Sequence, residues 1–202
     1  MPQTKQDRSA LSTSKLLDAA ADLIAEAGYE RMTLAAIGER AGYSHGLVTA
    51  RFGSKEGLLW ALVERMVEAW PGDVHLNAQD TGSGAEAIHA VIAEFRKTWR
   101  RKPKHMRALY SLMFEALLPV PLLNERMREL HRELRANIEK MVSAGIADGT
   151  VAADVDGEVV ARLVIGGVRG AVYQSMLDPK DVTISRALED VDLLIDALLP
   201  HP

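Results

Sequence analysis

One stretch limits what this chain can fold into more than any other: Thr33 to Phe52, TLAAIGERAGYSHGLVTARF. The Thr33 hydroxyl can accept a free N–H of a first helical turn. Leu34, Ile37 and Ala41 then fall at helical spacing and form one apolar face. Gly42 can turn left-handed without a Cβ penalty and so ends the helix. Ser44 is placed to cap a second helix. In that helix Val48 and Phe52, four apart, face the core together with Tyr43. His45, Leu47, Thr49 and Arg51 are left on the other side. Two short helices joined by a turn of about three to four residues form a helix-turn-helix, whose second helix enters the major groove of DNA.

The rest of the composition permits that reading without demanding it. A length of 202 residues suits one compact domain or two small ones sharing a core. With 48% hydrophobic and 26% charged residues, disorder is excluded as the main state. Cysteine is absent, which excludes disulfides and thiolate chemistry. No N-terminal run resembles a signal peptide, and no apolar run reaches the ~18 residues of a membrane span, so a soluble cytoplasmic protein is expected. The formal net charge of −4 is not the basic balance of a non-specific nucleic-acid binder. Within residues 1–60, seven Lys and Arg oppose seven Asp and Glu. Attraction for phosphate must therefore come from placement.

Taken in order, residues 1–8 are polar and read as a frayed terminus from which Lys5 and Arg8 could reach DNA. Residues 9–28 read as a helix with Leu16, Leu17, Ala20, Leu23, Ile24 and Ala27 on one face and Gly28 as its stop. Tyr29 and Met32 complete a small core. Ser54 caps a helix running to about Trp70, where Pro71-Gly72 stops it. The segment from Pro71 to Gly84 is rich in turn residues and marks the expected domain boundary. A helix from Ala85 to about Arg101 buries Ile88, Val91, Ile92, Phe95 and Trp99. The basic residues Arg96, Lys97, Arg100, Arg101, Lys102 and Lys104 read as a solvated face. Met106, Leu109, Tyr110, Met113, Phe114 and Leu117 repeat at helical spacing up to the break at Pro119-Val-Pro121. Leu123, Met127, Leu130, Leu134, Ile138, Met141 and Val142 form a long stripe ending near Gly149. Asp154 or Asp156 caps the next helix, about 156–178. That helix carries three glycines within five residues, Gly166, Gly167 and Gly170. Each disfavours a helix interior by about 1 kcal/mol relative to Ala, and close approach of another helix would compensate. Ile184, Leu188, Val191, Leu194, Ile195 and Leu198 make the last helix. No alternating run of strand length appears.

Thr33, Ile37, Ala41, Gly42, Ser44, Gly46 and Phe52, followed by Gly53-Ser-Lys55-Glu-Gly-Leu-Leu59, resemble the N-terminal domain of the TetR family of transcriptional regulators. The likeness is close over about residues 9–70 and looser beyond. Thr49 stands where the family usually has tyrosine, and Arg51 where it has histidine or tyrosine. The resemblance implies an all-α fold of about nine helices. Residues 9–70 would be a helix-turn-helix DNA-binding domain, and residues 85–200 an effector-binding and dimerisation domain. It also implies a homodimer on double-stranded operator DNA and a small-molecule effector, with no cofactor.

Candidate site residues follow. Ser44, His45, Leu47 and Thr49 can reach base edges, with Leu47 and Thr49 suited to a thymine methyl and His45 to a guanine acceptor. Thr33, Arg51 and Lys55 would hold phosphates and set register. Useful specificity needs two such units about 34–36 Å apart or a multiple of that, hence a symmetric dimer on a palindrome. Carried over from the family, the last two helices would form a four-helix interface with their mates, including Gly166, Gly167, Gly170, Leu188, Val191 and Ile195. Ligand-pocket candidates on the middle helices and the glycine-rich helix are Trp99, Tyr110, Met113, Phe114, Met127, His131 and Tyr173, which ordinary core packing would equally explain. Arg169 suits either an anionic ligand or a carboxylate of the mate. His89, His105 and His131 lie on separate helices without metal-ligand spacing, so no metal is expected. No nucleophile elbow or phosphate-binding glycine loop is present, so no enzyme is expected. The expected function is a ligand-responsive repressor. The alternative is an all-α module that binds a small molecule or a protein and whose helix-turn-helix serves only packing.

Overall fold

In the computed structural model, residues 5–68, 84–115 and 121–199 are described. Nine helices occur among them: α1 (Lys5–Ala27), α2 (Leu34–Ala41), α3 (His45–Phe52), α4 (Lys55–Glu68), α5 (Gly84–Arg101), α6 (Pro103–Glu115), α7 (Pro121–Asp148), α8 (Gly157–Leu177) and α9 (Ile184–Leu198). No strand occurs among the described residues. Trp70, the segment from Pro71 to Ser83, Leu117, Pro119 and Val120 lie outside them, as do the side chains of Lys5 and Leu123. The all-α expectation holds. The expected start of α1 was late: the helix begins at Lys5, because nothing in its polar first turns breaks it.

Contacts divide the chain into two compact units. One is Met1–Ala69 with Lys102–Asn124; the other is Trp70–Arg101 with Glu125–Pro202. In the first, α1 packs against α2, α4 and α6. Leu16, Ala20 and Ile24, at i, i+4 and i+8, are buried with Tyr29, Met32, Ile37, Val48 and Leu62. Each large apolar side chain buried this way contributes about 1.5–3 kcal/mol. Gly28 stops α1 at φ 82°, its N–H bonded to the Ile24 carbonyl at 2.8 Å. α6 buries Met106, Leu109, Tyr110 and Met113. α6, which the resemblance places in the C-terminal domain, packs its apolar face on α1. A polar knot ties three helices of this unit: Asp18 Oδ1 accepts from Arg65 at 2.9 Å and from His105 Nε2 at 3.0 Å. Lys104 adds an ion pair to Asp22 at 3.4 Å.

In the second unit, α9 packs against α8 and α5. Ile88, Ile92, Phe95 and Trp99 of α5 are buried, with the two rings tilted at a centroid distance of 6.1 Å. Met127, Leu130, Ile138, Met141 and Val142 supply the buried stripe of α7. That helix ends where Gly149 takes φ 80°. Asp156 caps α8, its Oδ1 accepting from the N–H groups of Glu158 and Val159 at 2.9 and 3.2 Å. Arg96 Nη2 donates to Asp192 Oδ2 at 2.7 Å, and His89 bridges Asp192 and Asp196. Within the basic run at 96–104, Arg96 pairs with Asp192, Lys97 with Glu94 and Lys104 with Asp22, while Arg100 reaches the Ser185 hydroxyl.

Candidate nucleic-acid interface

The motif is set by caps in its own sequence at both ends of the first helix and at the start of the second. Thr33, in extended backbone, accepts the Ala36 N–H at 3.1 Å and starts α2. Gly42 ends it at φ 75°, with its N–H on the Glu39 carbonyl at 3.2 Å. Tyr43 N–H reaches back to the Gly38 carbonyl at 2.7 Å. A Cβ on Gly38 would stand 2.8 Å from the Tyr43 carbonyl oxygen, so the turn lies tight against α2. Ser44 then accepts the Leu47 N–H at 3.2 Å and starts α3. These two caps each contribute about 1 kcal/mol. Glu26 and Arg40 form a two-pronged ion pair at 2.9 and 2.8 Å that ties α1 to α2. That hydrogen bonding from Arg40 holds the Glu26 carboxyl below its ordinary pKa.

α3 has a clear inside and outside. Val48 is fully buried, and Phe52 and Tyr43 are half-buried beside it. Ser44, His45, Gly46, Thr49 and Ala50 are exposed, and Leu47 is half-buried. Neither Gly46 nor Ala50 was among the DNA-contact candidates named from the sequence. They lie one helical turn apart among the polar groups, and their lack of bulk lets the helix backbone come close to a surface. Short residues at i and i+4 on the polar side were the available signal. A front of this kind, carrying a hydroxyl, a methyl and an imidazole, can read base edges by hydrogen bonds and by contact with a thymine methyl.

Two of the expected phosphate partners are placed differently. Arg51 does not point outward; its guanidinium crosses to the first turns of α1. Nη1 donates to the Ser9 carbonyl at 3.0 Å, to Ser9 Oγ at 2.6 Å and to Thr13 Oγ1 at 2.7 Å, and Nη2 to Ser12 Oγ at 3.1 Å. Lys55 donates to the Glu30 carbonyl at 3.1 Å, with its ammonium 4.2 Å from the centre of the Tyr29 ring. The physical reason is shared: a long cationic side chain beside carbonyl and hydroxyl oxygens trades water for fixed acceptors.

The C-terminal candidates separate as well. Tyr110 and Met113 are buried in the first unit, whereas Trp99 and Met127 are buried in the second. His131 and Arg169 meet in the second unit, with Arg169 Nη2 3.4 Å from His131 Nε2. Burial, then Arg169, then Arg135, push the His131 pKa down to about 4, so the ring is neutral at pH 7 and accepts from Arg169. Phe114 and Tyr173 are exposed, Tyr173 by 51%, so neither lies in a core cavity.

The expected interface residues also need correction. Leu188, Val191 and Ile195 are buried inside the protomer, because the apolar stripe of α9 faces α5 and α8 of its own chain. A Cβ on Gly167 would meet Leu194 at 3.2 Å, so this glycine admits α9 of the same chain. A Cβ on Gly166 or Gly170 would meet nothing within 4 Å. The outer face of α8 instead reads Val159, Leu163, Gly166, Gly170, Tyr173, Leu177, with Leu177 exposed by 70%. Beside it, between α8 and α9, runs a groove of about 350 Å³ lined by residues that include Gly170, Gln174, Arg186, Asp190 and Leu194. Among the described residues, no group of three or more His, Cys, Asp or Glu could hold a metal ion. No helix among them is long and apolar enough to cross a membrane.

Comparison with known proteins agrees with this geometry over both units. Residues 16–62 match the family model for bacterial regulatory proteins of the tetR family. Residues 84–200 match that for the C-terminal part of BetI-type transcriptional repressors. The chain is 29% identical to the HTH-type transcriptional regulator BetI of Burkholderia lata, over 90% of this chain and 93% of that one. It is 30% identical to BetI of Burkholderia mallei, over 92% of each. Among solved structures, a TetR regulator of Chloroflexus aurantiacus superposes with a TM-score of 0.81 at 23% identity, covering 95% of this chain and 98% of that one. SmeT, the repressor of the Stenotrophomonas maltophilia multidrug efflux pump SmeDEF, superposes at 0.77 with 21% identity, covering 93% and 89%. A capped two-helix motif with an open recognition face, joined to a helical segment of BetI type, makes this chain a member of the TetR family of DNA-binding transcriptional regulators, not an enzyme.

Proposed function

We propose that the protein is a cytoplasmic, homodimeric repressor that releases a palindromic operator when a small molecule binds its C-terminal segment. The observation that carries the reading is the outer face of α8. Val159, Leu163, Gly166, Gly170, Tyr173 and Leu177 follow one another at steps of four, three, four, three and four, all off the protomer's buried core. The alternation of four and three repeats every seven residues, the heptad spacing of a helix seam that packs on another helix. Gly166 and Gly170, open on their own chain, allow a second copy to approach closely. The adjacent groove would take side chains of the mate and not an effector. A dimer carries two α3 helices, and paired recognition helices of this kind read two half-sites one helical turn or a multiple apart. On each, Ser44, His45 and Thr49 read bases, with Thr33 toward a phosphate.

Release by a ligand fits the BetI-type match and the structure of the neighbour SmeT in complex with triclosan. Couplings of about 1–3 kcal/mol would lower operator affinity 5- to 150-fold. Trp99, Met127, His131 and Arg169 are the effector candidates that remain in the second unit.

The test is selection of an operator from random-sequence duplexes, followed by anisotropy titration and sedimentation of the complex. An inverted repeat bound by two chains is the expected result. Thr49→Ala and His45→Ala should each weaken that binding about 5- to 150-fold, the effect of about 1–3 kcal/mol per base contact, without lowering the melting temperature. The rival reading, a helical module whose motif is packing only, predicts no selected sequence and no effect of either substitution.

A further inference from the structure

We propose that Arg51 is a positioning residue for operator recognition: its guanidinium locks the end of α3 onto α1 through Ser9, Ser12 and Thr13. The proposal rests on α3 being the recognition helix.

α3 spans only His45–Phe52, too short to hold an orientation by its own hydrogen bonds. Its fully buried anchor is Val48. Arg51, three residues on, lies on the same inner side. Its four hydrogen bonds cross some 40 residues of sequence and land on one turn of α1. Val48 fixes how deep the helix sits, and Arg51 fixes its rotation about its own axis. That rotation decides where His45 and Thr49 point.

The receiving surface is built for the purpose. Ser9, Ser12 and Thr13 belong to a hydroxyl-rich run, Ser9-Ala-Leu-Ser12-Thr13-Ser14, in the first turns of α1. Ser12 and Thr13 donate their own hydroxyl protons to the Ser9 carbonyl, at 2.8 and 3.0 Å, which leaves their oxygen lone pairs aimed at the guanidinium. Ser12 is buried. Each of these four acceptors is a neutral oxygen, so the lock leaves the positive charge of the motif in place. A planar fork with five N–H donors can meet several acceptors at once, which a lysine ammonium at the end of a flexible stem cannot.

A residue that contacts phosphate and a residue that sets helix orientation leave different signatures in binding to DNA. The experiment uses the full-length protein and the duplex selected above, with affinity measured across salt concentrations against operator and scrambled DNA. Under the lock, Arg51→Gln and Arg51→Lys both weaken operator binding at least tenfold, although lysine keeps the charge. Binding to scrambled DNA changes less, so specificity falls, and the dependence of log K on log salt for Arg51→Lys keeps its slope. Ser9→Ala/Thr13→Val, with Arg51 intact, weakens operator binding about 3- to 10-fold. Combined with Arg51→Gln, it adds little further.

Three results would overturn the proposal. One is Arg51→Lys binding like wild type while Arg51→Gln loses about one unit of salt slope, which is the mark of a phosphate contact. Another is tighter binding by Ser9→Ala/Thr13→Val, which would mean that Arg51 is held back from the backbone of DNA. The third is a lower melting temperature with operator affinity of the folded protein unchanged, since the contact would then serve stability alone. Failure of the wild type to select any sequence overturns the operator reading itself; wild-type selection with unaltered variants overturns only the lock.

Discussion

The glycines of the α2–α3 turn and those of α8 answer to different neighbours. Gly42 must be glycine because its own chain turns at φ 75° there, and Gly38 because the Tyr43 carbonyl lies against it. Both demands are met inside the protomer. Gly166 and Gly170 sit in regular helix, where glycine is disfavoured by about 1 kcal/mol, and no atom of the protomer crowds them. A constraint that the chain satisfies by itself reports the fold. A costly residue that the chain leaves unexplained reports a surface meant for something else. Gly167, between them in sequence, marks the border, because it faces Leu194 and Val191 of α9.

The sharpest way to break this contrast is to fill the outer glycines. Gly166→Leu/Gly170→Leu should raise the dimer dissociation constant at least 100-fold, about 2.7 kcal/mol, as read by analytical ultracentrifugation. The isolated protomer should gain about 1 kcal/mol per site from helix propensity, seen as a higher melting temperature when dilute. A double variant that stays dimeric at the wild-type constant would remove α8 as the interface. Next in size is Gly42→Val. A β-branched residue forced left-handed costs about 2 kcal/mol, so the melting temperature should fall by roughly 4–8 °C. Operator binding should fall with it, because the turn sets α3 against α2, while the dimer constant of the folded fraction stays put. Loss of dimerisation in that variant would mean that the two regions are not independent.

Smaller again are the caps, which test whether both regions obey the same local chemistry. Thr33→Ala frees one N–H of α2, and Asp156→Ala frees two of α8. Each should lower stability by about 1 kcal/mol in denaturant melts, with Asp156→Ala the larger because its carboxylate also meets the positive end of the helix. Equal and negligible losses would show that tertiary packing, not capping, holds these ends.

What sequence could and could not reveal divides along the same line. Thr33, Gly42, Ser44 and Gly149 were legible, and the cap of α8 was narrowed to Asp154 or Asp156, because caps and stops act within a few residues. Val48 and Ile37 were legible because periodicity names the buried face. The direction of Arg51 was not, since a long side chain chooses among acceptors that only the fold brings near, here Ser9 and Thr13. Nor was the partner of each apolar stripe. Leu188, Val191 and Ile195 on α9 look in sequence like Leu163 and Leu177 on α8, yet the first three face their own chain and the last two do not. Periodicity gives the face of a helix but not whose atoms cover it. α6 carried the same ambiguity, and its burial against α1 was decided by packing.

The finest probe of the contrast is electrostatic, and it lies in two histidines of the second unit. His89 is satisfied by its own chain. Nδ1 is 3.0 Å from Asp192 Oδ1 and Nε2 is 2.9 Å from Asp196 Oδ1, and only the imidazolium can donate to both. Burial alone would lower its pKa, but the two carboxylates outweigh burial and raise it. His131 is opposed by its own chain, since burial, Arg169 and Arg135 push it down to about 4. The consequences have opposite sign. His89 adds stability that is complete below about pH 6.5, the unfolded value, and is lost as pH rises through the higher folded value. For His131 the unfolded chain takes up a proton near pH 6.5 that the folded chain refuses until about pH 4, so stability falls as pH drops through that window. His89→Gln should therefore destabilise the protein at pH 6 more than at pH 8, by less than about 1 kcal/mol because the pair is partly exposed. His131→Gln should flatten the loss between pH 6.5 and 4 and change little at pH 8. Melting curves across that range separate the two, and parallel pH profiles for both variants would mean that neither ring is set by the neighbours named here.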